Sequence, residues 1–308
     1  MNDAAVALAY KHCQRITRSN ARNFYYGIRL LPPRKRAAMC ALYAMARRID
    51  DIGDDATSAG PAGGERAMQG LASVRASLDL LAKAAAGGTA PPPGDPVLMA
   101  LAHAAHYYPL PLSALHELVE GCEWDLSGRR YASFEELVEY CRRVAGTVGR
   151  LSLAIFGSAD PARAEGLADA LGVALQLTNI LRDIVEDRDV YGRVYLPECD
   201  LARFGVGPDL KGAKEDLIAL VCFETGRAAE WYERGLPLLD LLDRRSRACT
   251  GAMAGIYWRL LAKIRLSPAS VLEKRLSLTP GEKAAVAASA LLSQPKHGSA
   301  AVQRKSAA

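Results

Sequence analysis

The stretch Asp169–Asp189 constrains the fold more than any other part of the chain. It contains no proline and one glycine, and its apolar residues recur every three or four positions, which predicts a single amphipathic helix. Four of its polar side chains share one face of that helix, namely Gln176, Asn179, Asp183 and Asp187. Because these groups offer oxygen ligands, the row suits a hard cation such as Mg²⁺. A solvated helix face also carries acids, so this row alone does not decide.

A second acidic row lies far upstream, near the end of another predicted helix. In RKRAAMCALYAMARRIDDIGDD, Asp50 and Asp54 are four residues apart. Acids at the C-terminal end of a helix are unfavourable unless a cation compensates for the negative end of the helix dipole. Two helices that face each other with such rows would hold more than one Mg²⁺ ion and leave coordination sites for a diphosphate. The alternative is two ordinary solvated helix ends.

Basic residues accompany both acidic rows, and they are Arg47, Arg48, Arg182 and Arg193. The guanidinium group of arginine binds phosphate oxygens in a bidentate manner, which again favours a diphosphate ligand. The alternative is that each arginine pairs with a neighbouring aspartate of its own helix.

Composition predicts an all-α protein. Half of the 308 residues are hydrophobic and 24% are charged, with few β-branched runs, as in a soluble helical protein with a substantial core. We expect one catalytic helical domain over residues 1–292 and a disordered tail over 293–308. Helices are predicted over 4–18, 34–55, 65–86, 96–107, 112–126, 134–157, 161–189, 213–242, 246–266 and 280–293, whereas 23–33 is predicted to be extended or turn-like before two prolines.

Charge and cysteine content narrow the partners and the compartment. The net charge of +5 is compatible with an anionic small molecule or with loose contact with anionic lipid, and it does not indicate nucleic acid. No run of eighteen apolar residues predicts a transmembrane helix, and the N-terminus does not resemble a signal peptide. Seven scattered cysteines without a CxxC motif are expected to be small core residues in a reducing cytoplasm.

The predicted helix over 134–157 is interrupted by Gly146 and Gly149. Each glycine within a helix costs about 1 kcal/mol relative to alanine, so the pair indicates a kink, or close approach by another backbone or by a ligand. Tyr140 and Val144 are spaced to line one face of this helix. Simple helix packing through small residues remains the alternative.

The chain resembles the squalene/phytoene synthase family of head-to-head isoprenyl diphosphate synthases from about Asn20 to Leu276. The motifs that carry this resemblance are ARNFYYGIRLLP, YAMARRIDDIGDD, YCRRVAGTVGRLSLAIFG, LQLTNILRDIVEDRDVYGRVYLP and AGIYWRLL. In overall look, the chain is most similar to the bacterial members of the hopanoid pathway that make presqualene diphosphate.

The resemblance implies a single all-α bundle of the isoprenoid-synthase type, in which the two acidic motifs face each other across the mouth of a central cavity. It assigns Asp50, Asp54, Asn179, Asp183 and Asp187 to Mg²⁺, for which Mn²⁺ is a substitute. It assigns substrate binding to Arg22, Phe24, Arg47, Val144, Gln176, Asn179, Arg193, Tyr195 and Tyr257. Tyr140, or an oxygen of released diphosphate, would take the proton during catalysis.

The implied reaction is the Mg²⁺-dependent condensation of two farnesyl diphosphates to presqualene diphosphate, without NADPH. Alternatives within the family are phytoene synthase, which uses two geranylgeranyl diphosphates, dehydrosqualene synthase, and NADPH-dependent squalene synthase. The alternative outside enzymes is a helical lipid-surface scaffold. Because the product is very apolar, the resemblance also allows peripheral contact with the inner face of the membrane and with downstream enzymes of the squalene pathway.

Overall fold

The chain is helical throughout the part that its computed structural model describes, which is residues 3–21, 23–58, 61–85 and 94–292. No β-strand occurs in these ranges, so the all-α prediction is confirmed. The α-helices are α1 (Asp3–Asn20), α2 (Phe24–Ile28), α3 (Pro33–Ser58), α4 (Pro61–Ala85), α5 (Pro96–Tyr107), α6 (Ser113–Leu126), α7 (Phe134–Cys141), α8 (Thr147–Phe156), α9 (Pro161–Tyr191), α10 (Glu198–Arg203), α11 (Lys214–Gly235), α12 (Arg244–Leu266) and α13 (Pro280–Leu292).

Three shorter helical turns complete the set. A π-helical turn, Arg142–Gly146, joins α7 to α8, and 3₁₀ turns cover Leu236–Leu241 and Pro268–Leu272. None of the helices among the described residues is long and apolar enough to cross a bilayer. The predicted tail, 293–308, and the predicted substrate residue Arg22 lie outside the described residues.

Side-chain caps set the helix boundaries that the sequence predicts best. Asp95 accepts hydrogen bonds from the backbone amides of Val97, at 2.9 Å, and Leu98, at 3.2 Å, and a proline follows it at the first helical position. Asp160 caps α9 in the same way through the amide of Arg163. As a result, α5 spans the residues predicted for it.

One local prediction is wrong in part. Residues 24–28 form helix α2, although the segment before the prolines at 32 and 33 was predicted to be extended or turn-like, and the residues after α2 form a turn. The prolines restrict only the residues next to them, and Pro33 is the first residue of α3. The predicted helix over 134–157 is confirmed as far as Phe156, and a π-helical turn lies within it.

Five of the seven cysteines are buried as predicted, but Cys199 and Cys222 are exposed. Cys199 lies on the two-turn helix α10 and Cys222 on the outer face of α11. All seven are free thiols.

Helix α9 is the central element of the bundle and packs against α3, α7, α8, α11, α12 and the π-helical turn. Glycines allow backbones to meet along it. A Cβ on Gly172 would lie 2.5 Å from the carbonyl oxygen of Ala145, and one on Gly149 would lie 2.4 Å from that of Ala168. Close backbone approach therefore explains Gly149, whereas a Cβ on Gly146 would meet the side chain of Asp169. Both glycines let α9 lie against the element that carries Tyr140 and Val144.

Candidate active site

Two adjoining cavities open beside α9. The first, called the apolar cavity here, is lined mainly by aliphatic and aromatic side chains, among them Ile28, Leu42, Val148, Phe156, Leu171 and Met253. It encloses about 1180 Å³ of empty space, a volume that includes solvent at its open mouth. A large, mostly apolar ligand would fit such a space.

The second cavity, called the polar pocket here, lies between the ends of α3, α6 and α9. It contains most of the predicted site residues, namely Arg47, Asp50, Asp54, Tyr140, Val144, Gln176, Asn179, Asp183, Asp187, Arg193 and Tyr195. Residues from both acidic rows thus meet in one pocket, as the spacing predicted. Five residues, Arg47, Asp50, Val144, Gln176 and Asn179, line both cavities and form the junction between them.

Two of the predicted substrate-binding residues, Phe24 and Tyr257, do not line the polar pocket. Phe24 lines the apolar cavity. Tyr257 is buried behind it, with the two rings stacked at 5.5 Å between centroids. Tyr257 therefore supports the wall through Phe24.

The carboxylates of the polar pocket repel one another. Asp50 is accessible to solvent inside the pocket, but the surrounding protein and the charge of Asp54 raise its pKa to about 7. Burial and the charge of Asp183 raise the pKa of Asp187 to about 8. A bound cation would relieve this repulsion, because it favours the ionised form of each acid.

The donor set fits Mg²⁺. The carboxylates supply hard oxygen ligands, and the side-chain oxygen of Asn179 is buried without a hydrogen-bond partner. Among the described residues, however, no three acidic, histidine or cysteine side chains already converge as a metal site. Asp183 forms ion pairs with Arg182 and Arg275, which a metal ion at this carboxylate would have to displace.

The sequence left two interpretations of the arginines, phosphate binding and pairing with an aspartate of the same helix, and each fits some of them. Arg193 links the two rows, since its Nη1 lies 3.3 Å from Asp54 and its Nη2 donates to the carbonyl of Gly53. Arg47 pairs with Asp51 of its own helix, and its Nε is buried in the shared junction without a partner. Arg48 points elsewhere and holds Asp95 through two hydrogen bonds.

Two residues of this site are missing from the sequence-based prediction. Asp125, at the end of α6, accepts hydrogen bonds from the hydroxyls of Tyr140 and Tyr195. Arg275, which follows the last 3₁₀ turn, reaches Asp183. Neither lies in an acidic row or beside one, so the sequence carries no spacing signal for them.

Comparisons with known proteins agree with this geometry. A sequence model of the squalene/phytoene synthase family matches residues 17–282. A protein of Mycobacterium tuberculosis named phytoene synthase is 47% identical over 300 residues, covering 94% of each chain. A 15-cis-phytoene synthase of Synechocystis is 35% identical over 286 residues, covering 88% of this chain and 81% of that one.

Solved structures show the same architecture. A dehydrosqualene synthase in complex with a ligand superposes with a TM-score of 0.79 at 28% identity, covering 92% of this chain and 96% of the other. The squalene synthase HpnC of Alicyclobacillus acidocaldarius superposes with a TM-score of 0.74 at 29% identity, covering 87% and 96%. With its helical fold, its paired acidic rows and these relatives, the chain belongs to the squalene/phytoene synthase family of head-to-head prenyl diphosphate synthases.

Proposed function

We propose that the chain catalyses the Mg²⁺-dependent head-to-head condensation of two geranylgeranyl diphosphates to phytoene. The observation that carries this proposal is the junction at which the polar pocket opens into the apolar cavity. A ligand with an ionic head and a long apolar tail matches that pair of spaces. The choice of the longer tail is supported by the relatives of 47% identity, which are named phytoene synthase.

The second candidate is the reaction preferred from the sequence, which is condensation of two farnesyl diphosphates to presqualene diphosphate. It is favoured by the structural likeness to HpnC, which is named a squalene synthase. Both candidates use the same polar pocket and differ in the length of the tail that the apolar cavity accepts. NADPH is not expected in either reaction.

Arg193 and the unpartnered Nε of Arg47 would bind the diphosphate of the substrate. Asp50, Asp54, Asn179, Asp183 and Asp187 would hold Mg²⁺. The ions, when bound, neutralise the diphosphate and make it a better leaving group. The role of the protein is to place the allylic carbon of the substrate at the junction, where the charged head stays among the acids and arginines.

The apolar cavity then protects the carbocation. Its walls of Val148, Leu171, Leu175 and Phe156 offer no nucleophile and keep water from the tail. The double bond of the second substrate attacks the cation, and a proton leaves as a cyclopropane ring closes. For phytoene, the cyclopropane diphosphate then loses its own diphosphate in the same pocket, and the ring opens with loss of a second proton. Tyr140, whose hydroxyl lies in the polar pocket, is placed near the head of the substrate, where this proton is lost.

Product identification tests the proposal. Purified protein with Mg²⁺ is incubated with farnesyl or geranylgeranyl diphosphate, with and without NADPH, and the products are identified by mass. Phytoene from the longer substrate supports the first candidate. Presqualene diphosphate from the shorter one, without NADPH, would replace it with the second. No release of diphosphate from either substrate would contradict both and favour the scaffold.

Contact with the membrane and with downstream enzymes of the squalene pathway stays a prediction. The apolar product has to leave for a lipid phase, so we expect the protein to bind vesicles that contain anionic lipid. Co-sedimentation with such vesicles, compared with neutral vesicles, measures this contact.

A further inference from the structure

One carboxylate at the edge of the polar pocket holds two phenols. The hydroxyl of Tyr140 donates to Asp125 Oδ2 at 2.9 Å, and the hydroxyl of Tyr195 donates to Asp125 Oδ1 at 3.0 Å. The three residues come from the last turn of α6, from α7 and from the segment after α9. All three line the polar pocket.

Ring packing fixes the direction of these hydroxyls. The rings of Tyr140 and Tyr195 are stacked at 5.1 Å between centroids, and Tyr131 packs against them at 5.4 and 6.4 Å. Each phenol therefore directs its proton toward Asp125, and the lone pairs of its oxygen remain free to accept a proton from elsewhere. Tyr140 can take a proton from a ligand if it passes its own proton to Asp125.

The charges around Asp125 suit an acceptor. Burial raises the pKa of Asp125 to about 6, while Arg193 and the two phenols act in the opposite direction and Asp54 adds to the increase. Asp125 is thus mostly ionised at neutral pH and is a stronger base than an ordinary carboxylate. A phenol without such a partner is a poor base, because it would have to become a protonated hydroxyl.

We propose that Asp125 is the terminal proton acceptor of a relay that runs through Tyr140. This inference rests on the proposed function. In the step that closes the cyclopropane, the C–H bond of the coupled carbocation breaks and its electron pair forms the new C–C bond. The proton moves to the oxygen of Tyr140, and the hydroxyl proton of Tyr140 moves to Asp125 Oδ2. Tyr195 holds the other carboxylate oxygen, so that Asp125 faces Tyr140.

Asp125 acts through Tyr140 and is therefore a positioning residue. A merely structural role would slow ionisation and ring closure together. The relay predicts that they separate, because ionisation of the first diphosphate precedes loss of the proton. The useful quantity is the amount of ring-closed product, meaning the cyclopropane diphosphate and whatever is made from it, per diphosphate released.

The test compares Asp125→Asn with the wild-type chain, on the prenyl diphosphate that the wild type uses. The asparagine can hydrogen bond but cannot accept the proton. We expect diphosphate release to stay within a few-fold, while ring-closed product per diphosphate falls by about 100-fold, the lower end for a lost general base. The missing product should appear as coupled alcohols, formed when water captures the coupled carbocation. Tyr140→Phe should give the same ratio, and the double variant should not lower it further.

Two further variants make the result decisive. Asp125→Glu keeps a carboxylate and should restore most of the ratio. Glu224→Gln is the matched control, since Glu224 is another buried acid with a raised pKa but lies outside both cavities, and its ratio should equal that of the wild type. Helical circular dichroism checks the fold of each variant.

An Asp125→Asn chain whose diphosphate release and ring closure fall in parallel would overturn the relay. So would an Asp125→Glu chain that folds but does not recover the ratio. If the wild type releases no diphosphate from either prenyl substrate, the proposed function itself fails, and this outcome is distinct from a failure of the relay in an active enzyme.

Discussion

Arg275 Nε lies 2.9 Å from Asp183 Oδ1, although 92 residues separate the two positions in the chain. The same arginine reaches Glu186 through Nη1 at 3.1 Å. The segment between the last 3₁₀ turn and α13 therefore places a positive charge on a carboxylate that the sequence predicts to bind Mg²⁺. A metal ion at Asp183 has to compete with this guanidinium.

Replacing Arg275 with glutamine should tighten metal binding in the absence of substrate. Its side chain is half exposed, and such ion pairs are worth about 0.2–1 kcal/mol, which corresponds to at most about a five-fold change in affinity. Titration with Mn²⁺, followed by electron paramagnetic resonance, measures this affinity. Arg188→Gln breaks a similar ion pair, with Asp189, and serves as the control. Equal affinities in all three proteins would contradict the prediction.

Asp183→Ala should nearly abolish release of diphosphate. The change removes an oxygen ligand from the centre of the polar pocket, and losing one such electrostatic contribution to a transition state slows reactions about 100-fold or more. Diphosphate release is measured with the prenyl substrate, and circular dichroism should show unchanged helical content. Normal release by this variant would remove the acidic rows from the mechanism.

Gly172→Ala should destabilise the fold. The added Cβ would meet backbone atoms, the carbonyl oxygen of Ala145 at 2.5 Å and the Cα of Gly146 at 2.8 Å, which cannot move as a side-chain end can. Overpacking of this kind costs about 1–3 kcal/mol. Urea unfolding measures the loss. Gly166→Ala, on the same helix and with open space around it, should be neutral or more stable by up to about 1 kcal/mol.

Glu224 should make stability decrease at high pH. Burial raises its pKa to about 8, with Asp200 adding to the increase and Arg227 opposing it. Because the folded state prefers the protonated acid, this contribution is fully present below the ordinary pKa of glutamate and is lost as the pH rises through about 8. Between pH 6 and pH 9, the melting temperature of the wild type should fall by more than that of Glu224→Gln. A parallel fall in both proteins would show that Glu224 does not titrate in this range.

The sequence predicts those parts of the structure whose signals are local. Helix α5 begins at Pro96, as predicted, and the structure shows why the start is local: the Asp95 cap and the proline act within one turn. The acidic rows could be recognised because residues four apart share a helix face, and Asp54 and Asp187 do meet in one pocket. The same helical spacing placed Gln176 beside them, and it lines the same pocket.

Features made by distant residues could not be predicted in this way. Asp125 has ordinary neighbours in the sequence, and its role comes from Tyr140 and Tyr195, which follow it by 15 and 70 positions. The π-helical turn adds one residue to a helix period and leaves the apolar pattern nearly unchanged. Helix α2 packs closely against Cys249 of α12. A Cβ on Gly27, in α2, would lie 2.6 Å from the carbonyl oxygen of Cys249.

The junction shared by the two cavities limits how this enzyme can be redesigned. A substitution at Val144 or Gln176 would alter the binding of the charged head and the room for the tail together. Phe156, Leu238 and Thr250 line the apolar cavity without reaching the polar pocket. Changes at these three positions would alter the room for the tail while the residues of the polar pocket stay unchanged, so variants with altered products are best sought there.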